Sequence, residues 1–205
     1  MEELPSYLIQ SQWMELIEKK APHHFAGQLM LGLAAYSEGD FEKAERHFSR
    51  SLERSYSPWG LACLGETYRA KGQNALGADL MASAARLRPF DFSLVKEALF
   101  MLAEAESYPQ LRDLILSLPE RTAQKGAVQL RLSQAYLACG QLELAEETLY
   151  QNGGLIVPDL QEGENSITDL WYHIQQEKCR KNGMEFNSNS LIPPAFADFR
   201  MQIEE

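Results

Sequence analysis

The sequence predicts an all-α fold: a right-handed α-α superhelix, a solenoid of about ten helices stacked as pairs. Three observations lead there. Leu31, Gly32 and Gly39 recur in the same order and spacing as Leu64, Gly65 and Gly72. Leu64, Tyr68, Gly72, Gln73 and Leu76 recur at one constant, doubled interval as Leu132, Tyr136, Gly140, Gln141 and Leu144, which leaves room for one more unit between them. Finally, apolar residues run at helical spacing on both sides of Gly39-Asp40, the pattern of two amphipathic helices joined by a tight turn.

In chain order, residues 1–22 read as an N-terminal half-repeat or capping helix. Ile9, Trp13, Leu16 and Ile17 form one apolar stripe over residues 6–20, and Ala21-Pro22 ends it. Four helix pairs then occupy residues 23–151. In the first, Gly39 is free to adopt the positive φ that ends a helix, and Asp40 is suited to cap the next one. Gly32 and Ala44 are small residues on facing helices, which lets the pair approach closely, with Phe48 filling the space beside them. The second pair repeats this with Gly65, Tyr68, Gly72 and Ala84, and Pro89 closes it because proline cannot continue a helix. The third is degenerate: Leu99 stands where the small residue belongs, and Glu106-Ser107 replaces Gly-Asp. Its helices are expected, with less regular packing. The fourth has Ser133, Tyr136, Gly140 and Ala145 in register.

After Asn152-Gly153-Gly154 the repeat stops. Residues 152–181 read as a loop broken by Pro158 and Gly163, followed by a capping helix. Ser166 opens that helix with Asp169 as a capping-box acid. Ile167, Leu170, Trp171 and Ile174 make its apolar face, and Lys178, Arg180 and Lys181 suit its C-terminal dipole. Residues 182–205 form an irregular tail that holds Met184, Phe186, Leu191, Ile192, Phe196 and Phe199. So many large apolar groups predict a docked tail rather than a disordered one.

The spacing of Leu31-Gly32, Ala44-x3-Phe48, Leu61-x2-Leu64-Gly65-x2-Tyr68, Pro89 and Leu132-Ser133-x2-Tyr136 resembles the tetratricopeptide-repeat (TPR) family over residues 25–151. The resemblance implies a curved array whose concave face, lined by the first helix of each pair, contacts extended peptides. The stretch VPDLQEGENSITDLWY with the closing FADFRM looks like the C-terminal part of a group of large bacterial proteins. In that group a galactose-mutarotase-like β-domain precedes TPR repeats. That likeness implies a bacterial source and, as the alternative function, an accessory helical domain of a larger carbohydrate-related enzyme.

Composition narrows the partners. The net charge is −10, from 29 acids and 19 bases, which disfavours nucleic acid and anionic membrane surfaces. Three scattered cysteines, Cys63, Cys139 and Cys179, suit a reducing compartment. With no signal-peptide pattern at the start, the expected location is cytoplasmic. Chemistry has little to stand on. His23, His24, His47 and His173 have no Cys or His at helical ligand spacing, and His173 with Glu177 reads as a helix-surface pair. Glu143, Glu146 and Glu147 read as an outward stripe. Asp159, Glu162 and Glu164 read as a solvated loop rather than an acid–base or calcium site. No nucleophile elbow, P-loop or dinucleotide motif occurs, so neither enzymatic activity, metal nor cofactor is expected.

The expected function is therefore non-catalytic: a scaffold that binds a protein, a peptide or another domain of the same protein. Self-association through the open N-terminal helix is a further expectation. Extrapolating the TPR register puts Leu29, Leu33 and Tyr36 on the concave face, followed by Trp59, Glu66 and Arg69, then Lys96 and Phe100, then Leu130, Gln134 and Leu137. The alternative for Leu29, Leu33 and Tyr36 is core packing against the first helix or the docked tail, which would fill the groove with the chain itself. Tyr36, Trp59, Glu66, Arg69, Lys96, Phe100 and Gln134 are the candidate partner-binding residues. The family's chaperone-binding members hold a peptide carboxylate with Lys, Asn and Arg side chains. Leu29 and Leu33 occupy the early part of that site, which argues against a chaperone-tail clamp.

Overall fold

The computed structural model describes residues 11–158 and 167–198. Among these the chain is all-α, with helices joined by short turns, and within each compact unit successive helices pack on one another in the manner of a helical solenoid. It divides into two compact units, Met1–Ser107 and Tyr108–Glu205. The division falls in the turn of the degenerate third pair.

The first unit contains α1 (Ser11–Lys20), α2 (Phe25–Ser37), α3 (Phe41–Arg54), α4 (Pro58–Ala70), α5 (Asn74–Leu87) and α6 (Phe92–Glu104). Local chemistry sets most of these boundaries. Asp40 accepts from the Lys43 amide at 2.9 Å, Ser57 from Gly60 at 3.1 Å and Asp91 from Leu94 at 3.3 Å, each satisfying an orphan N-terminal donor. Pro58 fits the first turn of α4 because its missing amide proton is not needed there.

The turns within the pairs are built alike. The Asp40 amide reaches back to the Ala35 carbonyl at 3.0 Å, Gln73 to Tyr68 at 2.8 Å, Ser107 to Leu102 at 2.9 Å and Gln141 to Tyr136 at 2.8 Å. Each is the six-to-one bond of a Schellman ending, which requires a left-handed residue just before it. Gly39, Gly72 and Gly140 supply that residue with φ of 79°, 76° and 74°. In the third pair Glu106 does so at φ 52°. A side chain in this conformation costs roughly 1–2 kcal/mol. Glu106→Gly is therefore expected to raise stability by about 0.5–1 kcal/mol, the strain relief less the extra chain entropy of glycine. Urea unfolding of the variant checks this; a loss of stability would show that Glu106 makes compensating contacts.

Close helix approach is achieved differently in the first, second and fourth pairs. The Phe48 ring lies directly against Gly32, where a Cβ would collide with it. In the second pair the backbones themselves meet: a Cβ on Gly65 would lie 2.8 Å from the Gly77 carbonyl oxygen, and one on Gly77 would lie 2.6 Å from that of Gly65. The facing residue is thus Gly77, which follows Gly65 at the same spacing as Ala44 follows Gly32. Ala84, expected in this role, is fully buried elsewhere on α5. In the fourth pair Ser133 donates to the Ala145 carbonyl across the same approach at 2.7 Å.

On α1, Trp13 is 47% and Leu16 44% exposed; only Ile17 of the described stripe is turned inward, with its methyl 3.0 Å from the place of a Cβ on Gly27. Ile9 lies outside the described residues.

The second unit contains α7 (Tyr108–Ser117), α8 (Glu120–Ala123), α9 (Gly126–Ala138), α10 (Leu142–Tyr150) and α11 (Ile167–Lys181). The short α8 has no counterpart in the repeat, and the sequence pattern does not predict it. Ile167, Leu170, Trp171 and Ile174 of α11 are buried against Leu142, Ala145 and Leu149 of α10. The charged stripe on α10 is not simply solvated: Lys178 pairs with Glu146, and Lys181 with Glu143 at 3.2 Å. The tail rests on the same helices. Phe196 packs against Gly154 and edge-on against Tyr150, while Thr168 donates to the Ala197 carbonyl. Met184 and Ile192 point outward instead, the latter 86% exposed. Ser166, the loop acids Asp159, Glu162 and Glu164, and Phe199 fall outside the described residues. Among the described residues, no helix is long and apolar enough to cross a membrane.

Candidate functional site

The repeat makes Leu33, Glu66 and Phe100 equivalent positions on α2, α4 and α6, and likewise Cys63 and Glu97 on α4 and α6. Side chains at these places share one helix face, because positions three and four apart lie over one another. Between α2 and α4 this face opens into a cavity of about 200 Å³ lined by Leu33, Tyr36, Phe48, Ala62, Cys63 and Glu66. Its walls are almost wholly apolar, with the Glu66 carboxylate the principal charged group among them.

A charge cluster adjoins it. Arg69 donates to Glu66 through both Nε (3.1 Å) and Nη2 (2.8 Å), and its Nη1 reaches Glu104 on α6 at 3.6 Å. The hydrogen bond to Glu66 raises the Arg69 pKa further, so the guanidinium is permanently charged. Glu97 on α6 stands close enough to feel all three groups. Burial, then repulsion from Glu66, pushes its carboxyl above the usual range, with Arg69 pulling the other way. Burial, and secondarily Glu66, also raises the Tyr36 phenol. The Cys63 thiol is pushed up to about 12 by burial and by Glu66. Cys63 is thus a protonated apolar wall at neutral pH and not a nucleophile.

Of the residues expected on the binding face, Tyr36, Glu66 and Arg69 come together here. Lys96 is half-buried on α6, and Phe100, on the same helix, is 42% exposed. Trp59 stands apart at the start of α4. It packs on the Leu29–Phe48–Leu64 core with the Arg88 guanidinium 5.8 Å from its ring, and its indole N–H is buried with no partner among the described residues. Gln134 belongs to the second unit. Its amide oxygen accepts from Arg131 at 3.1 Å, and its nitrogen is buried without a described partner. Leu137 lies partly buried against the core of that unit. Two expected lining residues are corrected: Leu29 is 3% and Leu130 4% exposed, both core. Each lies one turn before a residue on the same helix face that stays partly exposed, Leu33 or Gln134, so its burial is set by what packs over that end of the helix and not by the register. Cys63, Glu97 and Glu104 join the site without having been expected in it. The repeat equivalence of Cys63 and Glu97 is the signal that could have found two of them.

A second cavity, about 470 Å³, is lined by residues of α1, α2 and α3 and the turn between the first two. Its floor is the buried pair His47 and Gln28. His47 Nδ1 lies 2.9 Å from the Gln28 amide oxygen, and Gln28 Nε2 donates to the Pro22 carbonyl at 2.6 Å. Because Gln28 uses its nitrogen on Pro22, His47 carries its proton on Nδ1. Burial, reinforced by Arg50, lowers the His47 pKa. Arg50 and Arg54 on the rim are matched by Glu18 and Glu53, so this cavity selects no charge. Among the described residues no group of three or more His, Cys, Asp or Glu is placed to hold a metal ion.

The fold and the groove together define an all-α, helical-repeat-like protein with an apolar, acid-rimmed groove on its first helices. No family model matches the chain, and no curated protein matches it.

Proposed function

We propose that the chain is a non-catalytic scaffold of the TPR type that binds polypeptide, either a separate protein or another domain of its own, along the face of its first helices. The observation that carries this reading is the apolar cavity between α2 and α4, sized for a single side chain. An engineered apolar cavity of about 150 Å³ suffices to hold a benzene ring. The TPR assignment rests on the recurrence of one turn geometry at Gly39, Gly72, Glu106 and Gly140, a spacing that matches the family's unit of roughly 34 residues. The groove suits binding better than chemistry: Glu66 is engaged by Arg69, and the neighbouring thiol stays protonated.

Phe100 is the cleanest probe, being exposed on the same face; Trp59 also packs on the core, so its removal confounds binding with stability. Peptides selected against the chain from a display library are expected to bind Phe100→Ala about five- to tenfold more weakly, the loss of partial burial of one aromatic. Far-UV circular dichroism should be unchanged. Equal affinity for a fully helical variant would remove the α6 part of the face from the site.

A further inference from the structure

Resting on the reading of the groove as a peptide site, we infer that the side chain it takes is basic: a lysine or arginine whose aliphatic stem lies in the apolar cavity and whose cation meets Glu66, Glu97 and Glu104.

Two independent features agree on this class. The cavity is apolar, bounded by Leu33, Tyr36, Phe48, Ala62 and Cys63. A neutral aliphatic residue would be satisfied by such walls, but a carboxylate lies at their edge. A side chain that is apolar along its length and charged at its tip answers both, the division of labour that Lys and Arg show on apolar surfaces. The rim then sets the sign of the charge. Three carboxylates, Glu66, Glu97 and Glu104, surround one guanidinium, Arg69, which spans Glu66 and Glu104 at 2.8 and 3.6 Å. Glu66 and Glu104 by themselves outnumber the one cation, so the groove has an unmet negative charge where a ligand tip would arrive, and Glu97 adds to it once ionised. An acidic or C-terminal carboxylate ligand meets repulsion instead, the reverse of a carboxylate clamp. The overall charge of −10 steers association in the same sense.

Glu97 is the residue that distinguishes the cation from the stem. Burial and Glu66 disfavour its ionised form. An arriving cation reverses that balance. Glu97→Gln keeps the shape, removes the charge and leaves the Glu66–Arg69–Glu104 pairs in place. It should also fold at least as well as the parent. A carboxyl whose folded pKa is raised contributes stability that is present below the unfolded value and lost as pH rises through the folded one. At neutral pH its neutral isostere therefore removes a cost.

The test uses the full chain, labelled with ¹⁵N, and capped heptapeptide pools with randomised flanks and a fixed central lysine, arginine, norleucine or glutamate. Norleucine keeps the stem of lysine without the charge. Lysine and arginine pools are expected to shift the amides of Leu33, Tyr36, Ala62 and Glu66 with at least tenfold higher affinity than norleucine, and glutamate not at all. Glu97→Gln is expected to lower lysine affinity about tenfold and leave norleucine unchanged. If norleucine binds at these amides as well as lysine, the basic-residue inference fails while peptide binding stands. If no pool moves them, both fail. If Glu97→Gln weakens lysine and norleucine alike, Glu97 acts on groove shape and the charge argument is overturned.

Discussion

Phe48→Ala is expected to cost about 3–5 kcal/mol, the range for deleting a fully buried aromatic. Phe48 is 1% exposed and packs among Leu29, Ala35, Ala44 and Leu64. Its ring also occupies the space left by the absent side chain of Gly32. Removing the ring thus leaves a void with no neighbouring side chain on that wall to collapse into it. At roughly 2–4 °C per kcal/mol for a chain of this size, the melting temperature should fall by about 6–20 °C. Hydrogen exchange should accelerate first in α2, α3 and α4. A double variant sharpens the argument. Gly32→Ala collides with Phe48 in the parent but has room once the ring is gone. Gly32→Ala with Phe48→Ala should therefore be clearly more stable than the sum of the single effects, a coupling expected only of residues in contact. Additive effects would mean that the ring does not seat on the glycine.

Trp171→Ala is expected to be comparably severe in the second unit, again about 3–5 kcal/mol. Trp171 is 6% exposed at the centre of the core that α11 shares with α10. Its indole N–H donates to the Tyr150 hydroxyl at 2.9 Å, and its ring stands edge-on to Tyr172 at 5.1 Å. Tyr150 and Tyr172 in turn hold Phe196 and the Leu191 carbonyl of the tail. Loss of the indole should therefore loosen α11 and residues 191–198 together, read as faster proteolysis between 183 and 198. Trp171→Phe isolates the polar part: it keeps most of the packing and loses one hydrogen bond, a cost of about 1 kcal/mol. Equal losses for the two variants would place the stabilisation in the hydrogen bond rather than in the packing. In that case the tail should respond to both equally.

These two positions also show how unevenly the fold could be read. Phe48, Gly32 and the turn at Gly39 were legible because their roles are local. A tight turn between helices needs a left-handed residue whatever surrounds it, and a constant repeat interval renews the need in every pair. Even the departure at Glu106 was visible as a break in the pattern, although its positive φ was not. The Lys178–Glu146 and Lys181–Glu143 pairs were not legible. They join helices far apart in sequence, and the acids on α10 looked like an ordinary solvated stripe. The groove was half legible. Periodicity put Tyr36, Glu66 and Arg69 on one face, and they lie together at the cavity between α2 and α4. It did not separate Leu29 and Leu130 from Leu33 and Gln134, which share their helix faces, because which turn of a face is covered depends on the neighbouring elements.

What the sequence determined by itself, then, was the all-α class, the repeated helices other than α8 and the turns that join them, because helix periodicity, capping and turn chemistry act within a few residues. Tertiary structure alone decided that Gly65 meets Gly77, that the tail splits between buried Phe196 and exposed Ile192, and that three acids gather around Arg69 beside an apolar cavity. Those facts are made by groups from different helices, and the distances between such groups are set by how the helices pack rather than by any local pattern.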